Sequence, residues 1–203
     1  MSLRAAPEPL PGTVDVVHNA ALIVVDAQVG FDDPRWGSRN NPAADANIAA
    51  LAEAFAATAR PLVFVRHDSV EPESPLHPSR PGNNLKSYLT QTPQLEVHKT
   101  VNSSFHGTPD LNAWLLGQGI GQVVIAGITT NHCCETTARV GGNLGYDVLF
   151  ALDATHTFDR TGPDGRCYTA DQLAAVTGAN LHEEFATVVA TARLLAALGR
   201  HAA

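Results

Sequence analysis

The chain has 203 residues, with 13 Lys or Arg against 20 Asp or Glu and a formal charge of -7. Hydrophobic residues make up 44% and charged residues 16%, which excludes an intrinsically disordered chain and, with no basic stripe, a nucleic-acid platform. A chain this long buries roughly 70% of its unfolded surface, so one α/β domain folds without a disulfide or a metal. Cys133, Cys134 and Cys167 are odd in number and two are adjacent, which fits a reduced, cytoplasmic setting rather than a disulfide framework. The apolar runs are far short of the ~20 residues that span a bilayer. The start carries Pro7, Pro9 and Pro11 and no hydrophobic signal core. Residues 1–13 are expected to be a flexible arm ahead of one domain over 14–203.

Short apolar runs alternate with helical patterns along the chain. Residues 21–26, Ala-Leu-Ile-Val-Val-Asp, read as a strand buried on both faces and closed by an acid. Residues 42–60 carry Ile48, Leu51 and Phe55 at helical spacing. Residues 61–66 form a second buried strand, and the proline-rich stretch 68–93 is a long loop. Residues 95–99 form a third strand. Thr108-Pro109-Asp110 reads as a helix start with Thr108 as cap. Residues 122–126 are a fourth strand and 130–143 a helix. Residues 146–152 are a fifth strand ending at Asp153. After a loop over 159–169 come a helix (169–184), a last strand (185–190) and a last helix (191–198).

Six strands alternating with helices predict a single-domain three-layer α/β/α fold with a mainly parallel six-stranded sheet. The chain lacks both the dinucleotide glycine fingerprint and the phosphate-binding loop. Ligands of such sheets bind beyond the carboxyl ends of the strands. An acid (Asp26), a base (Lys99) and a thiol (Cys133) come from three of those ends. Cys133 falls in the first turn of a predicted helix, where the helix dipole and unpaired amides are expected to lower a thiol pKa. An aspartate there can relay the thiol proton, and helix-start amides can hold an oxyanion. Singly, each residue has a bland reading: a buried cysteine, a turn aspartate, a surface lysine.

Three segments carry a family resemblance. They are Ala21-Leu22-Ile23-Val24-Val25-Asp26-Ala27-Gln28 with Phe31, then Lys99-Thr100-Val101-Asn102-Ser103-Ser104-Phe105-His106-Gly107-Thr108, then Gly127-Ile128-Thr129-Thr130-Asn131-His132-Cys133-Cys134-Glu135-Thr136-Thr137-Ala138-Arg139. With them, the chain from about residue 20 to 195 resembles the isochorismatase-like cysteine hydrolases, a family of nicotinamidases, other amide hydrolases and isochorismatase. The resemblance implies a catalytic set of Asp26 as general base and acid, Lys99 beside the thiolate, and Cys133 as nucleophile. It also implies a cis peptide before Thr129, oxyanion donors in the backbone N–H groups of Thr129 and Cys133, and a homodimer or homotetramer.

No histidine lies between Asp26 and Phe64, unlike the metal-dependent nicotinamidases of the family, so no metal and no cofactor are expected. His67, Asp68 and His77 match no standard ligand spacing. The presence of Cys133 tilts the expected reaction toward cleavage of a C–N bond in a small amide or carbamoyl substrate. The alternatives are vinyl-ether hydrolysis of the isochorismatase type, and a catalytically silent homologue that binds or assembles. Gln28, Phe31, Trp36, Asn40, Phe105, His106, His132 and Phe158 are candidates for the substrate pocket. Cys134 is assigned to packing, and Cys167 has no argued role. A small-molecule substrate is the expected partner, and neither nucleic acid nor membrane is expected.

Overall fold

A computed structural model describes residues 14–200; the expected arm over 1–13 lies outside the described residues. Among the described residues eight strands form: β1 Ala21–Val25, β2 Leu62–His67, β3 Leu95–Lys99, β4 Gln122–Ile128, β5 Asp147–His156, β6 Arg160–Thr161, β7 Cys167–Tyr168 and β8 Thr187–Val189. The helices are α1 Ala44–Ala57, α2 Leu111–Gly117, α3 Glu135–Asn143, α4 Ala170–Leu181 and α5 Thr191–Arg200. Six strands make one sheet in the order β3-β2-β1-β4-β5-β8, and every pairing in it is parallel. This is the predicted three-layer fold, with all six predicted strands in place. Among the described residues no helix is long and apolar enough to cross a membrane.

Both faces of the sheet are covered, which is why its central strands are apolar throughout. Side chains alternate between the faces. Leu22, Val24, Phe64 and Val124 pack with Ile48, Leu51 and Phe55 of α1 and with Leu194 and Leu198 of α5. Ile23, Val25, Val63, Val65 and Ile125 pack on the other face with Leu111 and Leu115 of α2 and Ala138 of α3. Each large side chain removed from water in this way contributes about 1.5–3 kcal/mol, and these two layers hold the strand ends fixed.

The chain builds outward from β1 to β2 and β3 on one side, then returns to lay β4, β5 and β8 on the other. The order therefore reverses at β1, and the crevice beyond β1 and β4 is where an open parallel sheet takes its ligand. Gly127 permits the close approach there. It sits at φ +133, and a Cβ on it would lie 2.0 Å from the Val25 carbonyl oxygen.

Four expectations change. Thr108 does not cap α2: its backbone bridges to His98 in both directions, at 2.8 and 2.9 Å, and Asp110 caps instead by accepting from the Ala113 amide at 2.9 Å. The helix expected over 130–143 opens with a wider π-type turn, Thr130–Cys134, before α3. Strand β5 does not end at Asp153. It runs on to His156 through an irregularity opposite Ile125 and Gly127, and the Asp153 carboxylate turns to α5, accepting from the Thr191 amide at 2.8 Å and its hydroxyl at 2.7 Å. The loop over 159–169 contains the β6–β7 hairpin. Two residues per strand are too few for a readable alternation.

Candidate active site

Asp26 follows β1 in the left-handed backbone region, at φ +50, which aspartate tolerates better than most residues. Its amide is held by the Val65 carbonyl at 2.9 Å. The side chain is fully buried, and its Oδ2 accepts from Lys99 Nζ at 2.6 Å, with neither side chain exposed. The other oxygen, Oδ1, is buried without a hydrogen-bond partner. The Lys99 ammonium is reached across β2 from the end of β3. Burial works against its charge, but the nearby Asp26 and Cys133 outweigh burial and raise its pKa.

Cys133 arrives from the far side, on the turn that follows β4. The peptide between Ile128 and Thr129 is cis, as the resemblance implied. The turn is tied to β5 by buried or half-buried bonds. Thr130 Oγ1 donates to Thr155 Oγ1 at 2.8 Å, and Thr157 Oγ1 to Asn131 Oδ1 at 2.5 Å. The thiol reaches Asn102 Oδ1 at 3.6 Å. Thiol, Asp26 carboxylate and His67 imidazole each place one donor atom within 4.8 Å of the other two. The expected lowering of the thiol pKa is not what this setting produces. Burial first, and then the Asp26 charge, push it up against the pull of Lys99. This setting favours the neutral thiol over the thiolate at rest.

His67 is the neighbour that sequence reasoning underrated. Its Nδ1 lies 3.4 Å from Lys99 Nζ. A lysine only donates, so Nδ1 faces it as acceptor. Burial, and then the Lys99 charge, lower the His67 pKa, and the ring is neutral at neutral pH. Asp26, His67 and Cys133 are the one cluster with metal-ligand reach among the described residues, and Lys99 already supplies a cation there at 2.6 Å from Asp26. His67, Asp68 and His77, whose spacing matches no standard metal site, do not converge. Asp68 binds Asn83 Nδ2 and His98 Nδ1, at 2.9 and 3.0 Å, and His77 binds Ser79 Oγ at 2.8 Å.

Cys133 and Thr129 border a cavity of about 320 Å³. Four pocket candidates line it: Phe31, Trp36, His132 and Phe158. Three of these form an aromatic wall, with ring centroids 5.5–6.4 Å apart and planes tilted by 16–35°. Trp36 is oriented by its indole N–H, which donates to the Gly30 carbonyl at 2.9 Å. His132 Nδ1 lies 3.2 Å from Thr129 Oγ1.

Four other candidates lie elsewhere. Gln28 is buried and clamps the His67 backbone, accepting from its amide at 2.9 Å and donating to its carbonyl at 3.2 Å. It positions the site without lining it. Asn40 holds the Thr157 amide at 2.8 Å and faces a separate shallow depression. Phe105 stacks on Tyr146 at 5.7 Å, and His106 is exposed. After Asn102 the chain leaves the cavity, because the Ser104 amide is bound by Thr137 Oγ1 at 3.0 Å. Cys134 is fully buried in the core, as expected, and Cys167 is exposed on β7. Arg35, His67, Leu76, Asn102, Thr157, Asp159 and Arg160 complete the lining. Asn102, Thr157 and Asp159 lie shortly after strand ends, which is the signal that could have found them, whereas Arg160 opens β6.

Residues 20–193 match the Isochorismatase domain family model. The isochorismatase family protein YrdC of Bacillus subtilis (strain 168) is 39% identical over 176 residues, covering 86% of this chain and 94% of that protein. Nicotinamidase 3 of Arabidopsis thaliana is 30% identical over 154 residues, covering 69% and 74%. A crystal structure of an isochorismatase-family protein from Chromobacterium violaceum superposes with a TM-score of 0.89 at 39% identity, covering 94% of this chain and all of that one. A buried acid, a lysine and a thiol at three ends of a parallel sheet thus coincide with a family match over most of the chain, and the protein belongs to the isochorismatase family of hydrolases.

Proposed function

We propose that this protein is a cysteine hydrolase that cleaves a C–N bond of a small amide or carbamoyl compound through a thioester or thiocarbamate on Cys133. One observation carries the reading: the Cys133 thiol lies within 4.8 Å of the Asp26 carboxylate, whose Oδ1 has no other partner, at the edge of a cavity. The thiol proton passes to Asp26, and Sγ attacks the substrate carbonyl carbon. Lys99 offsets the negative charge that then sits on sulfur and on Asp26 by turns. The backbone N–H groups of Thr129 and Cys133 receive the oxyanion. Collapse breaks the C–N bond, and the leaving nitrogen takes the proton held by Asp26. Water then attacks the acyl carbon, giving its proton to Asp26, and sulfur leaves and recovers that proton.

The raised thiol pKa fits this order, because it makes proton transfer part of the attack rather than a resting ion pair. A relative named as a nicotinamidase supports an amide as the bond cleaved. The test is ammonia release from a panel of small amides, ureas and carbamoyl compounds, with Cys133→Ala beside the wild type. Release by the wild type alone supports the reading. Release that survives Cys133→Ala overturns it, and pyruvate release from isochorismate by that variant would favour ether hydrolysis.

A further inference from the structure

The outer cavity is bordered by an arginine that no carboxylate among the described residues meets at ion-pair distance. The deep charges compensate each other, with Asp26 and Lys99 at 2.6 Å. His67 and His132 are both held below the ordinary histidine range, by burial first and then by Lys99 and Arg160 respectively, so neither adds charge at neutral pH. Arg35 is paired with Asp33 at 3.1 Å and donates to the Glu73 carbonyl at 2.8 Å. Asp159 turns its Oδ1 to the Ala170 amide at 2.7 Å, at the start of α4. Arg160, on β6, enters none of the ion pairs among the described residues. Arg160 borders the same cavity as Cys133, together with Phe31, Trp36 and Phe158 of the aromatic wall.

We propose that Arg160 is an anion subsite, and that the substrate is a small amide or carbamoyl compound bearing a carboxylate on its acyl side. The proposal rests on Cys133 as the nucleophile. The scissile carbonyl sits at Cys133, a flat apolar segment lies against the three rings, and the carboxylate meets Arg160. A guanidinium presents parallel N–H donors that match a carboxylate in both charge and geometry. At the rim it remains partly hydrated, so it binds an anion without first giving up a protein partner. Such an interaction is made equally in ground and transition states, and it acts on KM.

The test uses two alkylating reagents that differ in charge, iodoacetate and iodoacetamide. In each, a bond forms from Sγ to carbon as iodide leaves. Rates at Cys133 are read by peptide mass spectrometry in a Cys167→Ser background, which removes the exposed thiol on the neighbouring strand. The iodoacetate-to-iodoacetamide rate ratio is expected to fall about three- to tenfold in Arg160→Gln, as a unit charge acting through partly hydrated space would give. It is expected to fall further in Arg160→Glu, to persist in Arg160→Lys, and to shrink in the unaltered protein at 0.5 M salt. With substrates, the KM for succinamate relative to neutral succinamide rises in Arg160→Gln. An unchanged alkylation ratio in Arg160→Gln and Arg160→Glu overturns the subsite and leaves the thiol reading standing. Turnover of succinamate that survives Cys133→Ala overturns both.

Discussion

The two ends of one cavity are built on opposite principles. At the inner end Cys133 borders the cavity, backed by Asp26 and Lys99, all three buried at or just after strand ends that two packed hydrophobic layers keep in place. The outer end holds Arg35, Trp36, Asp159 and Arg160 on loops and on a two-residue-per-strand hairpin. Inside, water is excluded, charges are strong, and every group depends on its partner. Outside, charges are screened and side chains are replaceable. Within one family, the inner end is suited to set the reaction and the outer end to set the substrate.

The sharpest break of this comparison is at the nucleophile. Cys133→Ala is expected to lower turnover by at least ~10³-fold while unfolding by urea stays within about 1 kcal/mol of the wild type. Asp26→Asn tests whether the inner charges are interdependent. It removes the proton acceptor and leaves the Lys99 ammonium buried without its counter-ion, at a cost of about 3–5 kcal/mol in stability. Adding Lys99→Met should recover most of that stability and none of the activity. If the single and double variants unfold alike, the pair is not the interdependent unit described here.

A buried imidazole below the aromatic wall gives the next largest effect. His156 is fully buried, neither ring nitrogen has a partner, and its edge meets Phe158. Burial, and then the Arg39 charge, bring its pKa down to about 4. The folded state therefore refuses a proton that the unfolded chain accepts below pH ~6.5. Stability is complete above that pH and declines as pH falls toward 4, by on the order of 3 kcal/mol. Urea unfolding of His156→Leu should show a shallower loss between pH 6.5 and 4.5, because both nitrogens already lack partners. The smallest change belongs to the outer end. Trp36→Ala should raise KM about five- to twentyfold, the loss of one ring face, with little change in the unfolding midpoint. A large fall in kcat instead would show that the outer wall also sets the geometry of attack.

Much of the fold could be read directly. Uninterrupted apolar runs such as residues 21–25 and 122–126 can satisfy only a sheet covered on both faces, and an acid or lysine closing such a run has one place to go, the sheet edge. That logic located Asp26, Lys99 and the loop of Cys133. It failed for Asp153, which reads as a strand end but is consumed in capping α5. It failed too for Phe105 and His106. They sit near the site in sequence, but one bond from Thr137 to the Ser104 amide turns the chain away.

What the sequence by itself determined was the layered parallel sheet and the placing of Asp26, Lys99 and the loop of Cys133 at strand ends, because hydrophobic pattern and residue type are local properties. Only the tertiary structure decided the rest. It placed Cys133 where burial, and then the Asp26 charge, push its pKa up against Lys99, and it set His67 facing Lys99 with Gln28 gripping its backbone. It also brought Arg160 from a remote hairpin to the cavity of the nucleophile. Each of these is a sum over neighbours distant in the chain, and no run of residues records such a sum.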